Sequence, residues 1–178
     1  MKPTKSVPGS SLKMIQKIAQ IKVDSVILDL EDAVAPNKKE EARHLVLDYL
    51  NQSRTSNTEQ AVRINSIGSG LEVGDLQMVL QGKNLDTIVI PKVESSEHLA
   101  FVGTMIDCIC PERRNEIKLV ALIESANALV NIKEISAAEK GRLSALGVWK
   151  LLKKKNNRKL ISNYTLFFIF YFLKKKKT

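Results

Sequence analysis

The chain has 178 residues, 44% of them hydrophobic, and a formal net charge of +9, a length that suits one ordinary domain with a real core and is lean for two. The charge is not spread along the chain: ten of the 28 Lys and Arg residues lie from Lys150 onward, where there is no Asp or Glu, so the 18 upstream face all 19 acids. The body therefore has no basic stripe with interleaved aromatics, which argues against nucleic acid as a partner.

The only two cysteines, Cys108 and Cys110 in "MIDCIC", have no partner pair and no His at zinc spacing, so they read as plain thiols in a reducing compartment. The opening "MKPTKSVPGSS" has charge but no apolar core, so no secretory signal is expected, and it is too short and too poor in Arg for a clear transit peptide.

Apolar period and punctuation then divide the chain. Ser10 or Ser11 can cap a helix to about Gln20, with Leu12, Ile15, Ile18 and Ala19 on one face. "VDSVILDL" predicts a strand, followed beyond Pro36 and Asn37 by a helix from about Lys38 to Leu50 with Ala42, Leu45, Val46 and Tyr49 as its stripe. "AVRIN" predicts a short strand, "GLEVGDLQMVLQG" a short helix, and "LDTIVIPKV" a strand rich in β-branched residues. A helix from about Ser95 to Cys110, the strand "IKLVALIES", a helix from Ala126 to about Ala138 and the strand "RLSALGV" complete the pattern.

Continuous apolar strands alternating with amphipathic helices indicate an α/β fold whose parallel sheet is covered by helices. Doubly wound sheets and (β/α) barrels both fit that alternation. Here the polar residues recur just past strand after strand: Asp29, Glu31 and Asp32, then Arg63 and Asn65, then Lys92 and Glu94, then Glu124. Barrel enzymes collect their chemistry at that rim, so the expected architecture is an incomplete TIM (β/α)8 barrel with five or six of eight parallel strands.

A strand buried on both faces holds its charges until it emerges, where a metal or a cation can stabilise them. Arg63 is a candidate cation for Asp29, Glu31 or Asp32, and the alternative is that these acids cap the following loop or form an ion pair. Glu124, directly after an apolar run, has the character of a hard-cation ligand for Mg²⁺; the competing reading is an acid at the positive end of the next helix. Lys13 and Lys17 stand one turn apart and repel each other unless an anion such as phosphate lies over them, ordinary solvated lysines being the alternative.

Five blocks, "SVPGSSLKMIQK", "VDSVILDLEDAVAPNKKEEAR", "AVRINSIGSGL", "LDTIVIPKVES" and "LVALIESANALVNI", together resemble the citrate lyase beta-subunit-like branch of the HpcH/HpaI aldolase superfamily over about residues 6–146. The resemblance implies a Mg²⁺-dependent barrel that makes or breaks the carbon–carbon bond between an acetyl thioester and a 2-keto acid, with a citramalyl, malyl or citryl-type acyl-CoA as substrate. It implies Arg63 as a catalytic and substrate-binding residue, Glu124 as a catalytic residue and magnesium ligand, Lys13 and Lys17 as contacts to CoA, and Asp29, Glu31 and Asp32 as the acidic lining behind them. It further implies a homo-oligomer, a trimer in the full-length family, and a mitochondrial location, the cytoplasm being the other possibility.

The likeness fades after "RLSALGV". Family members continue into a Glu-Asp pair and a later aspartate that complete the metal site and supply the acid across a subunit interface; this chain has no Asp or Glu after Glu139. Residues 1–148 are accordingly expected to form a partial barrel with little or no lyase activity alone, and 149–178 a tail of foreign composition. Its "LISNYTLFFIFYFL" spans only about 21 Å as a helix, short of a ~30 Å hydrocarbon core. It suits a membrane interface beside acidic lipids or translated A/T-rich non-coding sequence, the latter favoured. The rival to an enzyme is a non-catalytic membrane-associated or partner-binding protein that keeps a CoA-binding surface.

Overall fold

A computed structural model of the chain describes residues 4–54, 56–148 and 169–172. The strands are β1 Thr4–Pro8, β2 Ser25–Asp29, β3 Glu59–Arg63, β4 Thr87–Ile90, β5 Lys118–Ile123 and β6 Leu143–Val148, with β7 at Ile169–Phe172. Between them lie α1 Leu12–Gln16, α2 Lys39–Leu50, α3 Glu72–Val79, α4 Ser96–Ile109, α5 Ala126–Val130 and α6 Ile132–Ala137.

Strands β1 to β6 pair in chain order, each parallel to the one before. A doubly wound sheet reverses its order at a switch point; this order never reverses. The helices also share one face. Ile15, Val46, Leu76, Leu99, Ala128 and Ile135 from six helices pack with Val26, Leu28, Val62, Ile88, Leu119 and Ala121 from the strands in a single cluster. The opposite parity supplies a separate cluster, Ala61, Val89 and Leu122 with Ile27 and Val120 beside them, to which no helix contributes. One face covered by helices and one lined by strands alone is the cross-section of a (β/α) barrel wall. Among the described residues β1 and β6 do not pair, so the wall is an open arc of six parallel strands.

Departures from the sequence pattern are local. The first helix is five residues and then tightens into a 3₁₀ turn at Ile18–Gln20. That change of pitch breaks the expected stripe, burying Ile15 and Ile18 while Leu12 and Ala19 face solvent. The helix expected over Ala126 to Ala138 is two helices, parted at Asn131, whose side chain donates to the Glu94 carbonyl (2.9 Å). A five-residue strand, β1, precedes the first helix. β7 was not expected at all: it lies antiparallel against β6, Val148 opposite Ile169 and Ala145 opposite Phe172. The reading of the tail as an interfacial helix otherwise falls outside the described residues, and among those no helix is long and apolar enough to cross a membrane.

Candidate functional site at the strand ends

Side chains alternate across a strand, so parity places the polar residues. Ile27, Ala61 and Leu122 line the helix-free face, and two residues further along their strands stand Asp29, Arg63 and Glu124. Asp29 and Arg63 are register partners on β2 and β3. The charged residues therefore emerge on the inner face, at the C-terminal end of the arc.

Asp29, 1% exposed, is fully occupied. Its Oδ1 accepts from Arg63 Nε (2.8 Å) and the Glu31 N–H (2.8 Å), and its Oδ2 from Arg63 Nη2 (2.5 Å) and the Ala33 N–H (3.2 Å). It both caps its loop and clamps the arginine through a two-pronged bond that fixes the guanidinium plane. Arg63 Nη1 lies 3.1 Å from Glu31 Oε2, and Lys92 Nζ 2.8 Å from Glu31 Oε1. Glu31 is buried, and these cations approach its oxygens off the hydrogen-bonding directions. Burial pushes the Glu31 carboxyl above the usual carboxylate range, against the pull of Lys92 and Arg63. Glu124 is pushed up too, first by burial and then by the charge of Glu31, while the Lys92 backbone N–H, Lys92 and Arg63 draw it down. Glu124 thus stands on the same side as Arg63, in the electrostatic company of Glu31 and Lys92.

Three candidates sit apart. Asp32 is 71% exposed, and its one ion-pair contact among the described residues is with Lys92, at 3.9 Å. Lys13 and Lys17 are exposed on α1 and at its C-terminal cap, without an ion-pair partner among the described residues; no contact joins them to the carboxylates.

A buried brace beneath the loop was not foreseen from sequence. Lys39 Nζ donates to the carbonyls of Leu30 (2.6 Å) and Glu31 (2.6 Å) and to Asn65 Oδ1 (2.7 Å), which occupies all three of its N–H groups. Burial lowers its pKa, and Asp75, Asp29 and Glu31 oppose that. Asn65 in turn donates through its backbone and side chain to Asp75 Oδ2 (2.7 Å each), and Asp75 Oδ1 accepts from Arg43 (2.8 Å). One signal was available: Lys39 opens α2, where the helix dipole repels a cation, so an ammonium there needs acceptors of its own. Gly9 closes the other side, its N–H donating to the Asp29 carbonyl (2.8 Å) so closely that a Cβ would stand 2.9 Å from that oxygen.

Among the described residues no three carboxylate, imidazole or thiol groups converge as a ready metal cage. A buried carboxylate without a well-directed donor, Glu31, beside a half-buried one that burial and the charge of Glu31 disfavour, Glu124, nevertheless suits an ion such as Mg²⁺, which takes one or two carboxylates and keeps water or substrate oxygens for the rest. A surface groove beside Arg43, Gly74, Met78 and Ile109 lies among α2, α3 and α4, away from these groups, and has no part in the site.

The fold and its charged rim define the class, a (β/α)-barrel wall with a carboxylate–arginine site at the strand ends. The chain belongs to the HpcH/HpaI aldolase/citrate lyase family, whose model matches residues 6–151. It is 39% identical over 132 residues to the mitochondrial citramalyl-CoA lyase of Rattus norvegicus, covering 72% of this chain and 39% of that protein. It is 32% identical over 145 residues to the L-malyl-CoA/beta-methylmalyl-CoA lyase of Rhodobacter capsulatus, covering 79% and 45%. Among solved structures, the CitE protein of Mycobacterium tuberculosis in complex with magnesium, acetoacetate and coenzyme A superposes with a TM-score of 0.60 at 27% identity, covering 78% of this chain and 45% of that one. The chain thus spans less than half the length of these relatives.

Proposed function

We propose that this chain carries the substrate- and metal-binding arc of an acyl-CoA carbon–carbon lyase, which splits a 3-hydroxyacyl thioester of the citramalyl, malyl or citryl type into acetyl-CoA and a keto acid. The observation that supports this most is the meeting of Asp29, Arg63, Glu31, Lys92 and Glu124 on the inner face. The activities for which the two lyase relatives are named and the ligands of the tuberculosis structure agree with it.

In cleavage the substrate hydroxyl gives its proton to a base and its carbon becomes a carbonyl. The carbon–carbon bonding pair moves onto the thioester α-carbon as an enolate, and that carbon then takes a proton. Arg63 has five N–H donors; two are bonded to Asp29, and the remaining three, with Nη1 3.1 Å from Glu31 Oε2, are left for that carboxylate or for substrate carboxylate and keto oxygens. Asp29 keeps that fork aimed, so the donors meet the developing oxygen charge without reorganising. Mg²⁺ is the proposed cofactor, with Glu124 as its protein ligand and Glu31 beside it; bound there it polarises the keto oxygen as a Lewis acid. Lys13 and Lys17 are proposed contacts to CoA phosphates, and Asp32 completes the acidic lining. By likeness to its relative from rat we place the protein in mitochondria, as part of a homo-oligomer.

Calorimetric titration with pyruvate, a keto-acid probe, tests the reading. Millimolar Mg²⁺ tightens pyruvate binding to the wild-type chain, Glu124→Gln abolishes that dependence, and Arg63→Met weakens binding with or without the ion. Pyruvate that binds all three proteins alike, or none of them, sinks the proposal.

A further inference from the structure

We propose that Lys92 is an internal counter-ion for Glu31 that a divalent cation displaces, an inference that rests on the metal reading above. Lys92 follows β4 with a φ of 49°, a left-handed conformation that a residue with a Cβ adopts only when its surroundings hold it there. That backbone sets its Nζ 2.8 Å from Glu31 Oε1, with Asp32 Oδ1 at 3.9 Å. The ammonium is thus held against Glu31, the buried carboxylate that stands beside the proposed cation ligand Glu124.

Three cations surround Glu31, and they are not equally held. Arg63 is locked by its two-pronged bond to Asp29, and Lys39 is buried with three acceptors. Lys92 has one close carboxylate, its side chain is 49% exposed, and its four-carbon stem can carry the charge into water. It is the cation of the three that can leave without orphaning a buried group of its own. Departure of Lys92 would leave Glu31 and Glu124 as two carboxylates facing an opening; arrival of a divalent ion would replace one positive charge by two.

Thermal midpoints in EDTA and across a MgCl₂ series test this with wild type, Lys92→Met, Lys92→Gln and Lys92→Arg. In EDTA the Met and Gln variants melt several degrees below wild type and the Arg variant does not. Mg²⁺ then raises the Met and Gln midpoints by more than it raises wild type, with half-maximal effect at a concentration lower on the order of threefold. Met and Gln variants that match wild type in EDTA overturn the counter-ion role. Equal responses to Mg²⁺ in wild type and variants overturn displacement while leaving the metal reading intact, provided Glu124→Gln loses the response. If no chain responds to Mg²⁺, the metal reading fails and displacement fails with it.

Discussion

Replacing Asp29 by Asn keeps the shape of the side chain and removes its charge, which makes it a sharp probe of the strand-end site. Four donors converge on this carboxylate, two from Arg63 and the backbone N–H groups of Glu31 and Ala33. An amide has one acceptor oxygen and an NH₂ that must face one of those pairs of donors. Breaking one member of a buried ion pair costs about 3–5 kcal/mol. Because the Arg63 side chain keeps 14% exposure and can recruit water, the lower end applies, about 3 kcal/mol, a large share of the 5–15 kcal/mol typical of a folded domain. Urea unfolding followed by circular dichroism measures it, and the corresponding fall in thermal midpoint is roughly 6–12 °C for a chain of this size. Asp32→Asn is the control: at 71% exposure, 3.9 Å from Lys92, it changes stability by less than about 0.5 kcal/mol. An Asp29→Asn chain within about 0.5 kcal/mol of wild type would refute the clamp.

Other perturbations follow from the same geometry. The folded-state pKa of Glu124 is raised, so this group contributes stability at low pH that is lost as pH rises through the folded pKa; Glu124→Gln should therefore melt above wild type in metal-free buffer at pH 7, with the gap closing below about pH 4. A gap that grows toward acid would reverse the sign of the argument. Lys39→Met strands the Leu30 and Glu31 carbonyls and Asn65 Oδ1 and should cost about 3 kcal/mol, with faster amide exchange over residues 30–34 as the accompanying signature. Gly9→Ala sets a methyl 2.9 Å from the Asp29 carbonyl oxygen and 3.0 Å from Leu30 and Val46 side-chain carbons. Overpacking of that kind costs about 1–3 kcal/mol, and a midpoint equal to wild type would mean the β1–β2 contact is looser than described.

The sheet was legible in the sequence because buried parallel strands are written as short apolar runs rich in β-branched residues, and "TIVI", "SVILD" and "KLVALI", each too short for a helix and separated by amphipathic stretches, fit that pattern. Barrel rather than doubly wound topology was legible from the positions of the charges, since Asp29, Arg63 and Glu124 each follow an apolar run at the parity that turns away from the helices. The pairing of those charges was not. That Asp29 takes Arg63 while Asp32 stays in solvent depends on register, which places Asp29 opposite Arg63 and which no single strand reveals. The Lys39 brace joins α2, the β2 loop and Asn65 across 26 residues, and a lysine in a helix reads as solvated unless its opposition to the dipole is weighed. Asn131 broke a helix whose propensity is continuous because its amide reached Glu94, a tertiary contact that local pattern does not contain. β7 is an edge pairing with β6, and an apolar run of that length fits strand and helix equally.

The most direct test of the account is Mn²⁺-induced broadening of assigned side-chain and backbone NMR signals in the wild-type chain, with Mn²⁺ standing in for Mg²⁺. The account predicts that Glu31, Arg63, Lys92 and Glu124 broaden first and together, that Leu99 and Ile106 on the helix-covered face stay sharp at the same Mn²⁺ concentration, and that Glu124→Gln removes the effect. Broadening that begins at Glu40 or Gln77 on the outer helices, or that leaves Arg63 and Glu124 untouched, would contradict a shared metal-binding opening at the strand ends.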